Sequence, residues 1–129
     1  METISTLIVD ERAAFREGLR ALLETAEDIE VADDAASGEQ ALVMAPRLRP
    51  DVVLLALNLP GMGAVAATER LLQVMPRLRV LVLSAADDES VFAVMRAGAR
   101  GHVFKGARKA ELLRAVRAVA SGEIVYPAL

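Results

Sequence analysis

Residues 52–61 read VVLLALNLPG, and the reading of the fold turns on them. Residues 52–55 are apolar without interruption, so neither side of the segment is offered to water. That pattern suits a strand covered on both faces of a parallel sheet. The Asn58-Leu59-Pro60-Gly61 stretch that follows is turn chemistry. In an open parallel sheet, a junction of this kind is where a functional side chain is presented. Residue 56 stands there as alanine, whose methyl group can do almost no chemistry.

Residues 6–9 and 80–83 repeat the same short, uninterrupted apolar run, and residues 30–33 and 102–104 are weaker strand candidates. The segments between them carry helical spacing. Phe15, Leu19, Leu22 and Ala26 share one face, and Leu42 with Ala45 anchors a short second helix. Thr68, Leu71, Leu72 and Met75 mark a third, Val91, Val94 and Met95 a fourth, and Leu112, Leu113, Val116 and Ala120 a fifth. Pro46 and Pro50 are expected to follow the second helix and Pro76 the third. Gly98 should cap the fourth, and Ser121-Gly122 should end the fifth. The order βαβαβαβαβα with short connections predicts an α/β, three-layer, doubly wound sandwich around a parallel five-stranded sheet. Residues 123–129 read as an extended tail.

A single domain of 129 residues, 54% hydrophobic, should bury about two-thirds of its unfolded surface. No run approaches the roughly 20 apolar residues of a membrane span. METISTLIVDE lacks the basic start of a secretory signal. The absence of cysteine excludes disulfides and thiolate metal sites and fits a cytoplasmic chain, and one histidine excludes a multi-histidine metal site. The net charge of −3 conceals an asymmetry: residues 1–89 hold eight Lys or Arg against sixteen Asp or Glu, and residues 90–129 hold seven against two. A basic C-terminal third could oppose a second copy's acidic face. With no tryptophan, one tyrosine and no dense basic stripe, nucleic-acid binding by these residues is disfavoured.

Ligands of such a sheet sit beyond the carboxyl ends of the strands. The residues gathered there are Asp10 and Glu11, Asp33 and Asp34, Ala56, Ser84 and Lys105. Adjacent carboxylates could hold Mg²⁺, while a hydroxyl and an ammonium could hold phosphoryl oxygens. Receiving a phosphoryl group covalently would require a nucleophilic carboxylate on the middle strand, where Ala56 stands.

These segments resemble the receiver (CheY-like) domain of two-component response regulators over essentially the whole chain. The resemblance is carried by Asp10-Glu11, VVLLALNLPGM at 52–62, Leu83-Ser84-Ala85, and AGARGHVFK at 97–105. Gly106 in place of proline after Lys105, together with ELLRAV at 111–116 and Ser121-Gly122-Glu123, resembles the NarL/FixJ-like branch. The resemblance implies a flavodoxin-like (βα)5 sheet of order 2-1-3-4-5 and a switch that is not an enzyme. It implies that Ala56 replaces the aspartate phosphorylated by a histidine kinase. Asp10, Glu11 and the backbone carbonyl of Asn58 then match the Mg²⁺ ligands, Ser84 and Lys105 the phosphoryl contacts, and His102 a switching aromatic. With one anionic ligand gone, Mg²⁺ binding should be weak, and Lys105 should pair more fully with Asp10 or Glu11.

Plainer readings stand beside these. Asp10 and Glu11 could mark a helix start, Ser84 could be a loop hydroxyl, and His102 a buried, satisfied histidine. Asp87, Asp88 and Glu89 should cap and start the fourth helix, and Asp33 with Asp34 should be loop charge. Asp51 precedes its strand and lies roughly 16 Å from position 56, so it cannot replace the acceptor. The glycines of residues 61–63 form no dinucleotide fingerprint.

The leading expectation is a non-phosphorylatable or atypical receiver module, residues 1–121, of a transcriptional response regulator. Residues 122–129 would be a tail or the start of a linker to an output domain. The resemblance implies homodimerisation through the fourth helix, fifth strand and fifth helix, with Arg96, Arg100, Lys109, Arg114 and Arg117 as candidate cations. It also implies DNA contact only through a C-terminal helix-turn-helix and no contact with membrane. The alternatives are a small-molecule-sensing pseudo-receiver and a conventional Mg²⁺-dependent receiver whose acceptor was removed. Natural divergence and an introduced substitution both fit Ala56; His102 and Ala64 are departures that favour divergence. Phosphotransfer or phosphatase catalysis is the weakest alternative, because the nucleophile is missing.

Overall fold

The computed structural model describes residues 2–85 and 89–126. Five strands and five helices alternate: β1 (Ile4–Val9), α1 (Ala13–Leu23), β2 (Ile29–Ala35), α2 (Gly38–Leu48), β3 (Val52–Ala56), α3 (Gly63–Val74), β4 (Arg79–Ser84), α4 (Ser90–Arg96), β5 (Gly101–Phe104) and α5 (Lys109–Ala120). The sheet is parallel with order β2-β1-β3-β4-β5, the flavodoxin-like (βα)5 arrangement.

The uninterrupted apolar runs became the three central strands. Each residue of β3 is buried, because alternate side chains feed two separate apolar layers. Leu54, Ile8, Leu81 and Leu83 join Leu19 and Leu23 of α1 and Leu112, Leu113 and Val116 of α5. Leu55, Leu7, Val9 and Val82 join Ala41 and Ala45 of α2, Ala67 and Leu71 of α3 and Val94 of α4. The three layers follow directly.

Two local expectations are corrected. Pro46 lies inside α2 and does not follow it. Placed in the last turn, its missing N–H removes one hydrogen bond without breaking the helix. The stop comes at Arg49, in the left-handed region at φ 50, whose N–H reaches the Ala45 carbonyl before Pro50. Asp33 and Asp34 are not loop charge, since both lie within β2. A register shift between Thr6 and Leu7 lets β2 continue past Val31 with Asp33 opposite Leu7. Asp34 then receives Arg16 at 2.9 Å and Arg20 at 3.1 Å from α1. Asp87 and Asp88 lie outside the described residues, and Glu89 makes no side-chain capping bond to α4.

Asp51 serves the amino end of the sheet, where its carboxylate accepts the Ser5 N–H at 2.8 Å. The tail is extended as expected, but it is docked: Val125 forms a parallel bridge to Gly101 on the outer edge of β5.

Candidate functional site

Strand register brings the expected residues to one edge of the sheet. Val9 pairs with Leu55, so Asp10 and Ala56 follow at the same level on neighbouring strands. Ala56 pairs with Leu83, and the next residue, Ser84, accepts the Lys105 backbone N–H at 2.8 Å. The ends of β1, β3, β4 and β5 therefore converge.

Asp10 is 2% exposed and fully engaged. Its Oδ1 accepts the Arg12 N–H at 2.8 Å, and its Oδ2 accepts a hydrogen bond from Lys105 Nζ at 2.7 Å. Its backbone carbonyl accepts Arg16 at 2.7 Å. The Lys105 ammonium also lies 4.5 Å from the centre of the Phe15 ring, over its negative face. A buried carboxylate needs such partners, because ionisation without them is costly in a poorly polarisable interior. Glu11 and Asn58, by contrast, are exposed.

Ser84 is 1% exposed and His102 5% exposed. The Ser84 hydroxyl and His102 Nε2 are 2.7 Å apart, and the His102 ring meets Phe104 edge-on at 4.8 Å between centroids. The reading of His102 as a buried and satisfied histidine therefore matches its surroundings. Its bond to Ser84 also makes these two residues a unit at the carboxyl edge.

Position 56 is closed. The Ala56 methyl is 1% exposed and joins the apolar layer with Val9, Leu55, Leu57, Leu59 and Ala64. A methyl group makes no demand on water, so neighbouring side chains pack over it where a carboxylate would keep a solvated opening. The expected junction is present and exposes Asn58, but residue 56 presents nothing to solvent.

This donor set falls short of a resident Mg²⁺ site. Asp10 already holds the Lys105 ammonium, which a cation would have to displace, and Ala56 contributes no oxygen. Among the described residues, no group of three or more His, Cys, Asp or Glu side chains is placed to hold a metal ion. Oxygen-seeking Mg²⁺ gains little from one engaged carboxylate and an exposed neighbour.

Sequence reasoning missed Arg12, Phe15 and Arg16, which hold Asp10 and Lys105 in place. Arg12, Arg16 and Arg20 recur at four-residue spacing, a basic stripe on α1 that could have been read as facing the acidic strand ends. On the supposed dimer face, Arg117 is already committed within the chain, to Asp28 at 2.7 and 2.8 Å. That bond holds the Asp28 carboxyl below the usual carboxylate range and raises Arg117.

No helix among the described residues is long and apolar enough to cross a membrane. Residues 6–117 match the response regulator receiver domain. The chain is 39% identical over 120 residues to the transcriptional regulatory protein DegU of Brevibacillus brevis, a match covering 92% of this chain and 51% of that one. It is 34% identical over 125 residues to the nitrate/nitrite response regulator protein NarL of Escherichia coli K12, covering 96% of this chain and 58% of the other. The chain thus spans little more than half the length of these relatives. The crystal structure of a LuxR-family two-component response regulator from Aurantimonas sp. SI85-9A1 superposes with a TM-score of 0.91 at 30% identity, covering 97% of this chain and 90% of that chain. Receiver domains act as signalling switches rather than catalytic enzymes, and by the match of residues 6–117 this chain belongs to the response regulator receiver domain family.

Proposed function

We propose that the chain is an atypical receiver of the NarL/FixJ-like branch, the regulatory module of a transcriptional response regulator that works without phosphorylation at residue 56. The observation that carries this reading is the 2.7 Å pair between Lys105 and Asp10 beside a strand end that supplies only a methyl group. The ammonium that would meet a phosphoryl oxygen is held by a resident carboxylate, and no nucleophile stands next to it.

In this reading residues 1–121 form the regulatory unit and residues 122–129 lead toward an output domain. Asp10, Glu11 and the Asn58 carbonyl are remnants of a Mg²⁺ site, while Ser84, His102 and Lys105 form the switching set. Output passes through a homodimer built on α4, β5 and α5, and DNA is reached through a C-terminal helix-turn-helix in the cytoplasm. The names of the DegU and NarL relatives support a transcriptional or response-regulating output. Phe92 of α4, 44% exposed, supports an apolar contact on that face. A histidine kinase would address an acceptor-bearing relative, not this chain. A ligand-sensing role gains no support at position 56, because the methyl is covered.

Exposure to acetyl phosphate with Mg²⁺, followed by intact-mass measurement, tests the reading. The native chain should gain no phosphoryl group, and the Ala56→Asp variant should gain one. Stoichiometric modification of the native chain would refute the reading. Solution mass over a concentration series tests the dimer, and a strict monomer at high concentration would remove that part.

A further inference from the structure

Beyond β5, the last strand of the sheet, lies one isolated bridge. After α5 the chain reverses at Gly122, where φ is 96, and residues 123–126 return along the outer edge of β5. The Val125 N–H donates to the Arg100 carbonyl at 2.8 Å, and the His102 N–H donates to the Val125 carbonyl at 3.1 Å. The seat is fitted. A Cβ on Gly101 would lie 3.0 Å from Val125 Cβ, 2.9 Å from Leu81 Cδ1 and 3.1 Å from Val119 Cγ1, so a larger residue would have to push these neighbours back. The attachment is nonetheless thin. Among the described residues it consists of one bridge and the half-buried Val125 side chain against the core, while Ile124 and Tyr126 on either side are 42% and 75% exposed. Such a segment can open locally while the core stays folded.

The residue that receives it is the significant one. His102 gives its backbone N–H to Val125 and places its ring nitrogen 2.7 Å from the Ser84 hydroxyl. Ser84 in turn accepts the backbone N–H of Lys105, the cation paired with Asp10. One short strand therefore carries the tail on its outer edge and the candidate switch on its inner one.

We propose that residues 123–126 form a detachable edge strand whose docking on β5 is coupled to the Ser84–His102 bond. A rearrangement of Ser84 tilts the β5 backbone at His102 and releases Val125. Displacement of the segment by a pull on the following chain disturbs Ser84 to the same extent, because coupling free energies are reciprocal. The coupling is independent of what residue 56 can accept, so it stands or falls separately from the phosphorylation test.

Hydrogen exchange resolved by residue, on the full chain, tests it in both directions. Ser84→Ala should speed exchange at the Val125 amide about tenfold while the amides of Leu7 and Leu54 keep their native rates. Val125→Pro removes the N–H given to Arg100 at the margin of the core, and it should shift the ring nitrogen resonances of His102. A native exchange rate at Val125 in Ser84→Ala would overturn the proposal. If Ser84→Ala loosens the core amides as well, the Val125→Pro variant decides: unmoved His102 ring resonances overturn the coupling, and moved ones uphold it.

Discussion

Lys105 Nζ lies 2.7 Å from Asp10 Oδ2 across ninety-five residues of sequence, joining the ends of β1 and β5. The carboxylate is 2% exposed and the ammonium 13% exposed, so most of the pair's solvation comes from the protein itself.

Removal of the ammonium should therefore be costly. Lys105→Met leaves the Asp10 carboxylate with the Arg12 backbone N–H at 2.8 Å and the exposed Arg12 guanidinium at 4.0 Å. Destabilisation of about 3 kcal/mol at neutral pH is expected by urea unfolding, as for other buried pairs that lose one member. The double variant Asp10→Asn with Lys105→Met should recover part of that loss, since no uncompensated charge remains. Additive losses in the double variant would mean that the two groups do not interact energetically.

A carboxylate introduced at position 56 should create a metal response that the native chain lacks. Ala56→Asp places an acid in an apolar layer, level with Asp10, and should cost about 2 kcal/mol without metal. Millimolar Mg²⁺ should raise the melting temperature of that variant by satisfying two facing acids. The native chain should melt at the same temperature with and without Mg²⁺. Equal stabilisation of the two proteins would show that Asp10, Glu11 and Asn58 suffice to bind the ion.

The central strands were legible because residues 52–55 and 80–83 are apolar at each position, and their short length, valine content and flanking turn signals favour a strand between two layers over a buried helix segment. β2 was shortened in the reading because it is an edge strand with exposed positions at Glu30, Ala32 and Asp33. Its last carboxylate, Asp34, finds its arginines on a helix nearer the amino terminus. Pro46 misled because a proline is a stop signal by local chemistry, and its tolerance near a helix end depends on where the helix began. The acid, the hydroxyl and the lysine were legible as strand-end residues. The Ser84–His102 bond and the docking of Val125 were not, because both depend on lateral register between strands, which no local pattern encodes.

Helix α1 carries a glycine that its packing does not require. Gly18 is exposed, and a Cβ there would meet nothing within 4 Å. It borders a cavity of about 190 Å³ between α1 and α5, lined by Phe15, Leu19, Leu22, Phe104 and Leu112. Gly18→Ala should stabilise the protein by about 0.5–1 kcal/mol through the lost freedom of the unfolded chain. Urea unfolding with an unchanged slope would report it. A destabilising result would mean that the helix is drawn closer to α5 than the structure describes.

Acid should act through Asp28. The Arg117 guanidinium, bonded to both carboxylate oxygens, holds this carboxyl below its ordinary value of 3.8. A group whose folded value is depressed adds stability that is fully present above its unfolded value. That stability is lost as the pH falls through the lower folded value. Asp28→Asn should therefore melt below the native chain at neutral pH. The gap between the two should narrow as the pH drops below about 3.8, because the unfolded carboxyl begins to bind protons there first. Arg117 contributes in the opposite sense, with stability that would be lost only above its raised value, beyond the neutral range. Thermal melts of the two proteins from pH 7 to pH 3 measure the gap directly, and a gap that stays constant would show that the pair adds nothing to stability.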